Sequence, residues 1–131
     1  MYKRVLLKLS GESLGGPSGK GIDEVSLNAI AVEIAAAAKA GMQIAIVNGG
    51  GNIFRGMQGD VRGFDRRQGD TMGMLATLIN SLGLENVLES NGLKTKVLSS
   101  ISIDSVCEKM FYKKAIQYLE EGYVVIMVGG T

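Results

Sequence analysis

The sequence predicts an α/β fold: a three-layer αβα sandwich around a mostly parallel sheet. Two observations carry this. Short apolar runs at 5–9, 43–47, 94–98 and 123–128 alternate with segments of helical periodicity. Three of those runs end in small-residue turns, Ser10-Gly11, Gly49-Gly50-Gly51 and Gly129-Gly130-Thr131. In a parallel sheet such turns share one edge.

Val5 to Leu9 reads as a buried strand running into the Ser10-Gly11 turn. A glycine-rich loop follows, Gly15 to Gly21. Asp23 is then the expected N-cap of a helix whose apolar face is Leu27, Ile30, Ala31, Ile34, Ala35 and Ala38, with Gly41 as its terminator. Gln43 to Val47 reads as the second strand. Residues 57–69 are polar and read as a loop. A helix is expected from Asp70, with Leu75, Leu78, Ile79 and Leu82 as one apolar stripe and Asn91-Gly92 as its stop. Lys94 to Leu98 reads as a third strand, Asp104 to Lys109 as a short helix, Lys113 to Glu121 as a helix, and Tyr123 to Val128 as the last strand. A strand that ends where the chain ends predicts a truncated α/β unit.

Composition narrows the chemistry. The 131 residues include 14 Lys+Arg against 13 Asp+Glu, so no surface suited to a nucleic-acid polymer is expected. No apolar run reaches membrane-span length, no signal peptide is read, and one cysteine, Cys107, precludes an intrachain disulfide. A reduced, cytoplasmic setting is expected. Cys107 reads as a small buried hydrophobe rather than a nucleophile. The absence of histidine excludes Ser-His-Asp and Cys-His catalysis. Glycine, at 19 residues, is about twice its usual share of ~7%.

Three glycine turns on one sheet edge would form a rim free of side chains. There backbone N–H groups can approach an anion, and a nucleotide phosphate is the obvious one. Lys8, at the end of the first strand, and Arg55, after the triple glycine, would supply charge for phosphoryl transfer. Each feature alone has an ordinary reading. Lys8 could be a strand-end lysine, Asp70 a helix cap, and Met72 with Met74 packing residues. The Gly15–Gly21 stretch fails as a P-loop, because Leu14 stands five residues before Gly19 and Gly21 follows Lys20. It reads as a flexible surface loop.

Lys8-Leu9-Ser10-Gly11-Glu12, Gly49 through Gly56 and Asp70 through Thr77 together resemble the signatures of bacterial-type uridylate (UMP) kinases, within the amino acid kinase superfamily. The similarity runs from Tyr2 to Thr131, over the N-terminal, nucleoside-monophosphate-binding half of such an enzyme. The third motif is the specific one; the first two suggest only the superfamily.

The resemblance implies transfer of the γ-phosphoryl of ATP, with Mg2+, to UMP. It implies catalytic roles for Lys8 and Arg55, and ATP contacts by Lys8, Leu9, Ser10, Gly11, Gly51 and Arg55. It implies UMP contacts by Gly50, Asp70 and Thr131, and no protein-held metal. Gly16, Pro17, Ser18, Gly19, Lys20 and Gly21 resemble a segment linked to activation by GTP, and the family assembles as homohexamers. The adenine site and a second catalytic aspartate belong to the other half, so the 131-residue chain alone is expected to be inactive. Phe64 through Gly69 is richer in arginine than the resemblance leads one to expect; Arg66 and Arg67 could add a phosphate contact, and the stretch reads first as a solvated loop. Two alternatives stay open: a related kinase acting on a carboxylate or carbamate, and a non-catalytic nucleotide-binding module.

Overall fold

The computed structural model describes residues 4–54 and 65–129. Its order is β1 (Arg4–Leu9), α1 (Gly11–Leu14), a 3-10 turn (Gly16–Ser18), α2 (Glu24–Lys39), β2 (Gln43–Asn48), α3 (Arg66–Ser90), β3 (Thr95–Ser99), β4 (Glu108–Lys109), α4 (Tyr112–Glu120) and β5 (Val124–Val128). The five strands form one sheet in the order β1-β2-β5-β3-β4, and every described pairing is parallel.

Alternation along the strands sends side chains to two faces. Ile44 and Ile46 of β2, Val97 of β3, and Val124, Ile126 and Val128 of β5 join Leu27, Ala31 and Ile34 of α2 and Leu78, Leu84 and Leu88 of α3 in the larger core. On the opposite face Ala45, Leu98 and Val125 meet Ala115 and Leu119 of α4. The expected αβα layering is therefore present, with two long helices on one face and α4 on the other.

The α2 expectation holds in detail. Asp23 accepts from the Ser26 N–H at 2.9 Å, which also lowers the Asp23 pKa, and Leu27, Ala31, Ile34 and Ala35 are buried. The expected start of α3 at Asp70 is too late. Asp65 is the cap, accepting from the Gln68 N–H at 2.8 Å, so Arg66 to Gly69 form a first turn instead of the end of a loop. The apolar stripe is also misplaced. Of its four members only Leu78 is buried, while Leu75, Ile79 and Leu82 are 39%, 46% and 36% exposed. The face turned to the sheet instead includes Ala76, Asn80, Ser81, Leu84 and Leu88.

The helix expected over Asp104–Lys109 is absent. Ile103 O accepts from the Val106 and Cys107 N–H groups, closing a turn. Glu108 and Lys109 then extend alongside Leu98 and Ser99. Glu108 fixes this strand through Lys114 at 2.8 Å, Lys96 at 3.5 Å and the Tyr118 hydroxyl at 2.8 Å. The Lys114 contact is the largest cause holding its carboxyl below the usual range. Cys107 is partly buried against the larger core, and burial pushes its thiol pKa up, which agrees with a packing role.

A group with a depressed folded-state pKa stabilises the fold above its unfolded pKa and loses that contribution as pH falls through the folded value. Glu108→Gln is therefore expected to cost up to about 1 kcal/mol at neutral pH, since the carboxylate is about a third exposed. The difference from wild type should shrink on acidification below pH ~4.5, as the wild-type carboxyl also becomes neutral. Urea unfolding at neutral and acid pH checks this. A cost that grows on acidification would contradict the ion-pair account.

Candidate functional site

Three adjacent strands, β1, β2 and β5, run into small residues on the same edge of the sheet: Ser10-Gly11, Gly49-Gly50-Gly51 and Gly129. Ser10 leaves β1 in an extended conformation and caps α1, accepting from the Ser13 N–H at 3.2 Å. The turn after β2 packs backbone against backbone on this corner. A Cβ added to Gly11 would stand 2.5 Å from Gly51 N and 2.8 Å from Asn52 Oδ1. At Gly50 it would stand 2.7 Å from the Ala76 methyl and 3.1 Å from both Gly73 O and Thr77 N on α3. Glycine is required at both positions by close approach and not by a left-handed conformation, since neither has positive φ.

Within this turn the Gly49 N–H donates to Leu9 O at 2.9 Å, and Gly50 O accepts from the Ile53 and Phe54 N–H groups. The Gly50 and Gly51 N–H groups have no acceptor among the described residues. Both donors stand at the carboxyl end of a parallel strand, the edge at which ligands of α/β sheets bind.

Beside them is a pocket of about 370 Å3, lined by Val47, Asn48, Asp70, Gly73, Met74, Thr77, Met127 and Gly129. Its walls are the ends of β2 and β5 and the first turns of α3. Asp70 is exposed and contributes a carboxylate to this wall. Asn48 is held by Ser81: in the orientation that satisfies both ends of its amide, its oxygen accepts from Ser81 Oγ at 2.9 Å and its NH2 donates to Gly49 O at 2.9 Å. Gly129 adopts φ +76° and packs against Ser100 and Met74.

Lys8 is exposed near the end of β1 and is the register partner of Val47, so both side chains project from the face of the sheet opposite α2 and α3. Leu9 points the other way, into the larger core, leaving only its backbone near the turn. The structure thus gathers Ser10, Gly11, Gly50, Gly51 and Asp70 around one corner, with Lys8 beside it. Arg55 and Thr131 lie outside the described residues.

Gly16, Pro17 and Ser18 form the 3-10 turn, and Gly19 is left-handed. Lys20 is exposed, and the Gly21 N–H donates to Asn52 O at 2.8 Å. The loop expected at the surface is therefore hydrogen-bonded to the glycine turn of β2.

Sequence reasoning overlooked Asn48, Asn52, Asn80 and Ser81 as builders of the corner. The available signal was polar: Asn80 and Ser81 interrupt a long helix, and Asn52 follows three glycines. A larger groove, about 520 Å3, lies at the far side between α3 and β4. It mixes Glu85, Glu89, Asp104 and Glu108 with Lys96, Lys109 and Lys114, and no glycine turn borders it.

Comparison with known proteins agrees with this geometry. Residues 3–131 match the model of the amino acid kinase family. The chain is 58% identical to a uridylate kinase of Parabacteroides distasonis, covering 99% of this chain and 55% of that protein. It is 56% identical to a uridylate kinase of Porphyromonas gingivalis, covering 99% and 54%. Its structure superposes on the UMP kinase of Bacillus anthracis with a TM-score of 0.92 at 42% identity, over 99% of this chain and 54% of that one. The UMP kinase of Ureaplasma parvum gives 0.88 at 35% identity, over 98% and 56%. An isopentenyl phosphate kinase of T. acidophilum, at 16% identity and a TM-score of 0.62, shares the fold. The chain spans about half the length of the curated relatives it matches. With a parallel sheet whose neighbouring strands β1, β2 and β5 run into glycines, and a family match along nearly its whole length, this chain belongs to the amino acid kinase family.

Proposed function

We propose that the full-length protein is a UMP kinase, transferring the γ-phosphoryl group of ATP to UMP to give UDP and ADP. The observation that carries this reading is the pair of Gly50 and Gly51 N–H donors, without an acceptor among the described residues, beside a pocket with Asp70 in its wall. The relatives at 58% and 56% identity, both uridylate kinases, support the choice of substrate.

In this mechanism the acceptor is a phosphate monoester whose oxygen is already largely ionised at neutral pH, with a second pKa of about 6. It attacks the γ-phosphorus and ADP departs with the bond electrons. No histidine base is needed, and catalysis reduces to positioning and charge stabilisation. The Gly50 and Gly51 amides hold phosphate oxygens, Ser10 and Gly11 shape the neighbouring turn, and Lys8 neutralises charge between donor and acceptor. Asp70 accepts hydrogen bonds from ribose hydroxyls. Arg55 and Thr131 extend the phosphate and UMP contacts, as the resemblance implies.

Mg2+ bound with ATP would supply charge neutralisation on the phosphates. Activation by GTP through Gly16–Gly21 and assembly as a homohexamer belong to the same proposal. The exposed Leu75, Ile79 and Leu82 of α3 support a subunit interface. No described helix is long and apolar enough to cross a membrane; a cytoplasmic setting belongs to the same proposal.

The test is a phosphorylation panel with full-length protein, Mg-ATP, and UMP, CMP, acetylglutamate, aspartate or carbamate. UDP is the expected product. Failure to phosphorylate UMP or any other pyrimidine monophosphate would overturn the proposal, and turnover of a carboxylate or carbamate would move the protein elsewhere in its family.

A further inference from the structure

Two asparagines lie buried where the glycine turn after β2 meets α3. Asn52 is 6% exposed and Asn80 1%. Their side-chain amides pair reciprocally: Asn52 Nδ2 donates to Asn80 Oδ1 at 3.0 Å, and Asn80 Nδ2 donates to Asn52 Oδ1 at 2.8 Å. The second N–H of each goes to a backbone carbonyl. Asn80 donates to Gly49 O at 2.8 Å and Asn52 to Gly21 O at 2.7 Å. The Gly21 N–H returns a bond to Asn52 O at 2.8 Å. All four side-chain N–H bonds are used, and both polar groups of Gly21 are tied to one residue.

Buried amides fully satisfied in this way hold their partners in a single arrangement, because any shift leaves a desolvated donor or acceptor unpaired. Here the partners are the Gly49–Gly51 turn, helix α3 and the end of the Gly16–Gly21 segment. Hydrophobic packing cannot fix this turn, since its glycines offer no side chains.

We infer that Asn52 and Asn80 are positioning residues: they set the Gly49–Gly51 turn in the shape that presents its amides to phosphate, and they link the Gly16–Gly21 segment to occupancy of that turn. This rests on reading the turn as a phosphate site of a UMP kinase. Neither side chain reaches the pocket lining, so their effect acts through the backbone they hold.

The experiment uses full-length protein and UMP as the probe. UMP affinity is read by calorimetry, KM and kcat by steady-state assay, and backbone exchange by deuterium labelling of peptides spanning 16–21, with α4 peptides as the control. In wild type, UMP should slow exchange in 16–21 and leave α4 unchanged. Asn80→Asp keeps the shape but turns the donor to Gly49 O into an acceptor. It should raise the KM for UMP by about tenfold or more, affect kcat less, and abolish the UMP-dependent protection of 16–21. A merely structural asparagine would lower the melting temperature without moving that protection.

Should Asn80→Asp fail to fold, the wild-type exchange result decides alone. UMP binding without any change in 16–21, or a folded Asn80→Asp protein with wild-type affinity and protection, overturns the inference while the kinase reading stands. Absence of UMP binding to wild type overturns both.

Discussion

Gly11→Ala in the full-length protein is expected to lower kcat/KM for phosphoryl transfer by about 100-fold or more. The new methyl would stand 2.5 Å from Gly51 N and 3.0 Å from Asn52 N, and neither backbone group can swing aside as a flexible side chain would. The turns after β1 and β2 must separate by a sizeable fraction of an ångström, and reacting groups displaced by about 1 Å lose on the order of 10²-fold in rate. The methyl would also cover the Gly51 amide, one of the two donors proposed for phosphate. Overpacking should cost about 1–3 kcal/mol of stability as well. Kinetics paired with urea unfolding separate the two effects. Activity within twofold of wild type would mean that the two turns do not act as one cradle.

Lys8→Ala should leave stability nearly unchanged and cost at least as much in the kinetic measurement. Lys8 is exposed on β1, and removing an exposed side chain generally changes stability by no more than about 0.5 kcal/mol. Removing a charge that stabilises the transition state costs on the order of hundreds-fold in kcat. Unchanged kcat would take Lys8 out of the mechanism. A fall in kcat with wild-type unfolding would set it apart from Gly11, whose role is steric. The pair of variants therefore distinguishes a group that carries charge to the reaction from one whose value is having no side chain.

Both predictions begin from features visible along the chain, yet only the second could be framed from sequence. Lys8 sits at the end of an apolar run, where a lysine is out of place as core and well placed as a site residue. The contact that makes Gly11 intolerant of a methyl joins residues about forty positions apart, and no local pattern announces it. Helix α2 was legible because a side-chain cap and a regular apolar face agree, with Asp23 bonded to the Ser26 N–H and Leu27, Ala31 and Ile34 buried. Helix α3 was not, because its buried side carries Asn80, which bonds to Gly49 O and Asn52, and Ser81, which bonds to Asn48, while Leu75, Ile79 and Leu82 are exposed. Hydrophobic periodicity assumes that the core-facing side is apolar, and that assumption fails where a helix supports a polar site. The stretch Asp104–Lys109 misled for a related reason: its extended ending is held by sheet pairing and by Glu108 contacts with Lys96, Lys114 and Tyr118.

The sequence by itself determined the alternation of strands and helices, the cap of α2, the small-residue turns at strand ends and the lysine beside them. These follow from local rules: side-chain periodicity, capping chemistry and the steric freedom of glycine. The tertiary structure alone decided that β5 inserts between β2 and β3, which makes the glycine-ended strands β1, β2 and β5 immediate neighbours. It also decided which side of α3 meets the sheet and which amides pair beneath the turn. The strand order depends on pairings such as Ala45 with Val125, and the other two on hydrogen bonds between residues 28 to 33 positions apart, all formed only once the chain has closed on itself.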